Sequence, residues 1–326
     1  MSLREPLAAL RRDDGEWRAG QAALEQALAA WRSDPSMASV LEAMERFAAG
    51  ETLAGCRPLA ALFQSGNEAA SLLVERFISG TLLALDAHPL GQMPLAYAPG
   101  DVVAMLVLAR YGTASLSLSC FDGCELARAE PRASVVFEPV ESWSRVIAGS
   151  GTGELIIGEP TAASDTLVLQ RRELELATDS IHHRVGAREK LHVRSASGAM
   201  LVLRLQRALP GEAVVREHAL ADGRLVHRAA AAADDSRREL AMATLRAMER
   251  RDAVPGMRAI ALGRGEVSLR WQALRELLVL DLDAGLDAID AIAAASDDPL
   301  CAHVGTLREA VERQNSDEAQ GGSWPS

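Results

Sequence analysis

Ser115-Leu116-Ser117-Leu118-Ser119 alternates polar and apolar residues without a break. Successive side chains of a strand point to opposite faces, so a period of two predicts a strand with one face buried. Just upstream, Val102 to Arg110 is a continuous apolar run. Downstream come Val135 to Phe137, Glu154 to Ile157, Thr166 to Leu169, Ile181 to Val185, Leu191 to Val193 and Leu201 to Leu205, punctuated by Gly, Ser, Asp and Pro. Many short strands separated by frequent turns predict an antiparallel sandwich or barrel over residues 93–230.

Outward from this block the period changes. Trp17, Leu24, Leu28 and Trp31 recur at helical spacing, and Asp34-Pro35 ends that helix, because Pro disfavours helical geometry in the residue before it. Val40, Leu41, Met44 and Phe47 form a second stripe that stops near Gly50, and Leu72, Leu73, Phe77 and Leu82 mark a third over 68–86. Past Ala229 the helical pattern returns. Asp234, Asp235 and Ser236 are N-cap candidates, Pro255 opens a second helix, Ser268 is placed to cap a third, and Asp298-Pro299 opens a last one. The expected architecture is therefore α+β: a helical region over 1–92, a central antiparallel β-sandwich or barrel over 93–230, a helical region over 231–314, and a polar Gly/Ser-rich disordered tail over 315–326.

Leu269 to Leu278 followed by Asp281 to Ala295 resembles one HEAT-type helical pair. A single pair does not stack into a solenoid, so the resemblance implies packing on the β block or on a partner. The layout of the β block is similar to cupin and jelly-roll barrels. The resemblance is one of layout, since the histidine motifs that mark catalytic cupins are missing.

The 326 residues are 48% hydrophobic and 24% charged, as expected of a folded chain long enough to bury its core without disulfide or metal staples. Aromatics make up only 4%, so the core is expected to be built from Leu, Val and Ala. The net charge of −11 and the scarcity of stacking aromatics argue against nucleic-acid binding. No apolar run reaches membrane-spanning length, and Met1 to Arg12 lacks the apolar stretch of a secretory signal. Cys56, Cys120, Cys124 and Cys301 are scattered rather than arranged as a disulfide framework. The expected compartment is the cytoplasm.

Several motifs approach known chemistry without reaching it. Cys120 and Cys124 flank Phe121-Asp122-Gly123, which favours a hairpin turn over a zinc site with no second Cys pair. Gly149-Ser150-Gly151-Thr152-Gly153 lacks the Lys-Ser/Thr of a P-loop and is followed by a strand, which favours a flexible hairpin. Asp281-x-Asp283-x-Gly285-x-Asp287 has Ile292 where a calcium loop needs Glu, leaving a helix–helix turn with capping aspartates. His182 and His183 are adjacent on a strand and must point to opposite faces.

One stretch departs from the acidic background: residues 166–207 carry eight cations and four acids. Arg188, Lys190, His192 and Arg194 share strand parity, and Arg184 lies just upstream. Such a face is suited to a carboxylate, a phosphate or an acidic helix. No catalytic motif occurs. The leading expectation is thus a non-catalytic protein-binding or scaffold protein without a cofactor, whose partner is another protein or a second copy of itself. The alternative is a cupin-like enzyme holding one divalent transition metal inside the barrel through His183, His192, Glu217 and His218.

Overall fold

The computed structural model describes residues 13–161, 165–209, 214–231, 233–295, 298–301, 304, 305 and 308. The tail expected to be disordered, 315–326, lies outside the described residues. The chain folds into two compact units, Met1–Pro210 with Glu217–Val226, and Gly211–Arg216 with His227–Ser326.

The first unit begins with helices α1 (Gly15–Ser33), α2 (Pro35–Ala48), α3 (Arg57–Ala61) and α4 (Ala69–Ala87). The stripes read for α1 and α2 are largely buried, but on α4 Leu73 and Phe77 are buried while Leu72 and Leu82 of the same expected stripe are exposed. Leu24, Leu28 and Trp31 are buried on α1; Met37, Val40, Met44 and Phe47 on α2; Leu73, Val74 and Phe77 on α4. Asp34 both ends α1 and starts α2, its Oδ1 accepting from the Ser36 N–H at 2.9 Å. The Trp31 ring meets Phe77 edge-on at 5.1 Å, and its Nε1–H donates to the Leu73 carbonyl at 3.2 Å.

Among the described residues twelve strands follow along the chain, with one short helix, α5 (Gly123–Arg128), after the third. They are β1 (Tyr97–Ala98), β2 (Val103–Tyr111), β3 (Ala114–Asp122), β4 (Ser134–Phe137), β5 (Val140–Ala148), β6 (Gly151–Pro160), β7 (Leu167–Leu176), β8 (Ile181–Val185), β9 (Glu189–Ala196), β10 (Ala199–Ala208), β11 (Val214–Ala219) and β12 (Leu225–Ala230). They form a six-stranded sheet in the order β1-β2-β3-β10-β5-β8 and two three-stranded sheets, β7-β6-β9 and β12-β11-β4. The registers are antiparallel. From β5 to β10 the chain passes repeatedly between the six-stranded sheet and β7-β6-β9, so the two sheets share one interior.

The long sheet is buried on both faces. Leu116, Leu118, Leu203 and Leu205 pack with Phe47, Leu59, Leu73 and Phe77 in one core, which the N-terminal helices therefore share with the sheet. Arg145 fastens that side: 3% exposed, it donates to the carbonyls of Leu62 (2.9 Å) and Asn67 (2.5 Å) and to Asp179 (2.5 Å). On the opposite face, Val146 and Met200 pack with Leu176 of the β7-β6-β9 sheet. The serines of the opening motif belong to this inner face and are also buried, Ser115 at 8%, Ser117 at 4% and Ser119 at 8% exposure. The alternation predicted a solvated polar face; a second sheet covers it instead. The other side of β7-β6-β9 is covered too, Ile156 packing against Val135 and Phe137 of β4.

Two turn expectations change. Gly149–Gly153 makes no hairpin, because β5 and β6 lie in different sheets. It is a corner where backbones approach closely: Gly149 has φ +82°, and a Cβ there would sit 2.3 Å from the Ala199 carbonyl oxygen. Asp122-Gly123 makes no hairpin either. Asp122 is the N-cap of α5, its Oδ1 accepting from Cys124 N–H at 2.8 Å and Glu125 N–H at 3.1 Å.

The second unit carries α6 (Ala233–Ala247), α7 (Val254–Ala261), α8 (Val267–Leu280) and α9 (Leu282–Ala294) around Met242, Met257, Leu274, Leu277, Ile289 and Ile292. Asp281 caps α9 through the Ala284 N–H at 3.0 Å, as its position predicts. Pro255 stands in the first turn of α7. Ser268 does not cap α8, which starts one residue earlier and leaves the Ser268 hydroxyl buried without a partner. Asp234 and Asp235 lie inside the first turn of α6 rather than at its cap. Among the described residues, no helix is long and apolar enough to cross a membrane.

Gly149→Ala is expected to destabilise the protein by about 2 kcal/mol or more, from the left-handed backbone conformation plus the clash with Ala199. Urea denaturation measures this, and a change below about 0.5 kcal/mol, the level of an ordinary surface substitution, refutes the corner assignment.

Candidate functional site

The interior between the long sheet and β7-β6-β9 holds a cavity of about 70 Å³. Strand register decides what lines it. Ser117 of β3 pairs with Arg204 of β10, Arg204 with Ser144 of β5, and Ser144 with His182 of β8. These four therefore form one polar row across four adjacent strands. Beyond β5, Arg184 of β8 sits opposite Ser142. In the other direction the face turns apolar, first at Val202 and Val146, which pair directly, and then at Phe121. The roof, from the facing sheet, is Leu176, Leu191 and Val193.

The polar end carries charge that is poorly matched. Arg204 has its Nε and Nη2 buried with no hydrogen-bond partner. Arg184, 5% exposed, makes one long contact, to the Glu189 carbonyl at 3.3 Å. Lys190 donates to Glu138 at 2.8 Å. Arg184, Arg204 and Lys190 thus neighbour two carboxylates, Glu138 and Glu189, and Arg172 is a further cation near His182. Burial pushes the Arg184 guanidinium down to about 10, with the charge of Arg204 adding to the shift and Glu138 and Glu189 opposing it. Burial likewise lowers Arg204 and Lys190, against the opposing pull of Glu138. Burial on its own would raise the Glu138 carboxyl, but Lys190 first, then Arg204 and Arg184, outweigh it and hold it below the usual range. Burial first, then the charge of Arg172, lower the His182 imidazole below its ordinary range, and its Nε2 has no partner. An uncompensated buried cation costs several kcal/mol, and each unsatisfied buried donor about 1–3 kcal/mol.

The expected basic face takes a different form. Lys190 and His192 do lie on the face of β9 away from Leu191 and Val193, where β4 lies over them, while Arg194 of the same parity is exposed. His192 is 5% exposed, Lys190 is bridged to Glu138, and Arg194 is ion-paired with Glu154. Arg188 is exposed in the turn before β9, while Arg184 belongs to the cavity. The five residues do not make one docking surface.

Nor does the structure assemble the expected metal ligands. His183 lies on the helix-facing side of the long sheet, stacked on Trp143 at 4.6 Å and bonded to Glu141 at 3.0 Å. His218 is 3% exposed, edge-on to Phe137, with Nδ1 2.9 Å from the Gly223 carbonyl. Glu217 accepts from the Ser134 hydroxyl. No group of three or more His, Cys, Asp or Glu able to hold a metal occurs among the described residues. These residues do not fit the metal centre of a catalytic cupin.

Sequence reading passed over Arg204, although it noted the basic stretch. The available signal was parity: Val202, Arg204 and Gln206 share a face opposite Leu201, Leu203 and Leu205. It also passed over β5, whose Glu141-Ser142-Trp143-Ser144-Arg145 looks polar on both faces although Ser142 and Arg145 are among the most buried residues.

No protein-family model matches the chain, and no curated protein matches it by sequence. Among solved structures it is similar to HutD from Pseudomonas fluorescens SBW25, with 14% identity over 37% of this chain and a TM-score of 0.25. It is also similar to a cupin superfamily protein from Desulfitobacterium hafniense DCB-2, with 12% identity over 34% of this chain and a TM-score of 0.23, covering 82% of that protein. Ectoine synthase from P. lautus matches with 10% identity over 35% of this chain and 69% of its own, at a TM-score of 0.23. The chain spans 59% of the length of HutD.

His192 generates a pH prediction. Burial, then Arg132, Lys190 and Arg194, push its pKa from 6.5 down to about 4, against the pull of Glu154. The folded state rejects a proton that the unfolded state accepts below pH 6.5, so stability falls as pH drops from about 6.5 to about 4 and this contribution then levels off. The shift corresponds to about 3 kcal/mol. Denaturant melts at pH 7 and pH 4.5 measure it; His192→Gln is expected to lose less stability than wild type between the two, and equal losses contradict the assignment.

Proposed function

We propose that the first unit is a binding module for a small anion, held in the chamber between the two sheets by Arg204 with Arg184, Ser144 and His182. One observation carries the reading: the Arg204 guanidinium is buried with two N–H groups unsatisfied, beside a second buried arginine. An apolar residue of similar volume at position 204 would avoid that cost, so a bound negative charge is the simplest physical reason for an arginine there. Binding would complete the missing ion pair and the missing hydrogen bonds together. In this reading the module binds and holds its ligand; the side chains around the chamber form no nucleophile–base pair and no metal site, so no chemical step is assigned.

Protein binding through the helices and a basic face, the other reading that the sequence favours, has less behind it, since Arg184 and His192 are buried, Lys190 is bridged to Glu138 and only Arg188 and Arg194 are exposed. The cytoplasm is the proposed compartment, on the cysteine usage alone.

An anion that binds only the folded protein raises its stability, by about 2.7 kcal/mol at a hundred times its Kd. Thermal melts in chloride, phosphate, sulfate and carboxylate buffers at equal ionic strength are expected to show a rise in Tm for at least one anion. Arg204→Met is expected to abolish that rise while leaving the ligand-free Tm equal to or above wild type. A wild-type Tm indifferent to every anion, or an undiminished rise in Arg204→Met, overturns the proposal.

A further inference from the structure

We infer that the anion is a short-chain monocarboxylate of about three to five carbons; this rests on the chamber being an anion site. Four features of the chamber converge on that class.

The free donors of Arg204 are Nε and Nη2, the two nitrogens on one edge of the guanidinium. Their parallel N–H bonds match the two oxygens of a carboxylate. Arg204 and Arg184, with Arg172 acting on His182, leave this end of the chamber positively charged, so an anion is favoured there over a neutral ligand.

The charged groups of the chamber stand at one end, and Ser119 is the one polar side chain lining the other. Past the Arg204–Ser144–His182 row the same face presents Val202 and Val146, then Phe121, under a roof of Leu176, Leu191 and Val193. A tetrahedral oxyanion would turn one or more oxygens toward these side chains and leave them unsolvated. A carboxylate with an alkyl tail places each part against its like. Size sets the limit: a water needs roughly 10–15 Å³ of such space. The cavity of about 70 Å³ therefore takes a molecule of a few heavy atoms and rejects a fatty acid. His182, whose Nε2 has no partner, and Ser144 line the chamber in the same row as Arg204.

Isothermal titration at pH 7 in chloride background tests this with acetate, propionate, butyrate, octanoate, phosphate and sulfate. Propionate or butyrate is expected to bind at least tenfold more tightly than phosphate, sulfate or octanoate. Arg204→Met is expected to lose at least tenfold for all carboxylates. If that variant does not fold, Arg204→Lys keeps the charge but not the two-pronged edge and is expected to lose several-fold. Val202→Thr, nearly isosteric, is expected to weaken butyrate several-fold and acetate little. If phosphate or sulfate binds as tightly as butyrate and in an Arg204-dependent way, the carboxylate class is wrong while the anion site stands. If no anion binds the folded wild-type protein, the anion site itself is wrong.

Discussion

Burial of the six-stranded sheet on both faces governs the rest of the first unit, and the two faces are buried by different means. On one, Leu116, Leu118, Leu203 and Leu205 join the helix leucines and phenylalanines in an ordinary apolar core. Its polar exception, Arg145, is satisfied by two carbonyls and Asp179. On the other, the same strands turn serines, an arginine and a histidine toward a second sheet. Dispersion and area burial favour the first face; the second is favoured only at its apolar end, where Val146, Met200 and Leu176 close the sandwich.

The contrast between Arg145 and Arg204 separates structure from function here. Both guanidinium groups are buried in the same sheet, one strand apart. Arg145 has its donors matched, so it pins the α3–α4 segment to the sheet, and nothing further is needed to explain it. Arg204 has two buried nitrogens without a hydrogen-bond partner and a second arginine nearby. Lys190 and Glu138 form a bridge that stabilises the neighbourhood but leaves the Arg204 edge open. Other buried groups lack partners too, the Ser268 hydroxyl and His192 Nδ1 among them, but Arg204 is the buried guanidinium so placed among the described residues, which is what supports the proposed binding role.

Much of the fold was legible because packing stripes are periodic. The α1 and α2 stripes, the helix end at Asp34-Pro35, the Asp281 cap and the strands Val135–Phe137 and Ile181–Val185 all follow from spacing and cap chemistry. The misreadings cluster where a second layer intervenes. Gly149–Gly153 and Asp122-Gly123 resemble hairpin turns, since a turn dipeptide states that the chain bends and not which sheet it enters next. The basic parity of Lys190, His192 and Arg194 was real, but Lys190 and His192 lie under β4, more than fifty residues upstream.

The sequence by itself determined the α+β class, the antiparallel strands and the helix faces, because periodicity and capping are local properties of neighbouring residues. Only the tertiary structure decided that the serine face of β3 is interior, that Arg204, Ser144 and His182 stand in one row, and that His183, His192, Glu217 and His218 do not meet. Those facts depend on strand order and on which sheet lies over which. Both are set by contacts between residues far apart in the chain, and no local pattern encodes them.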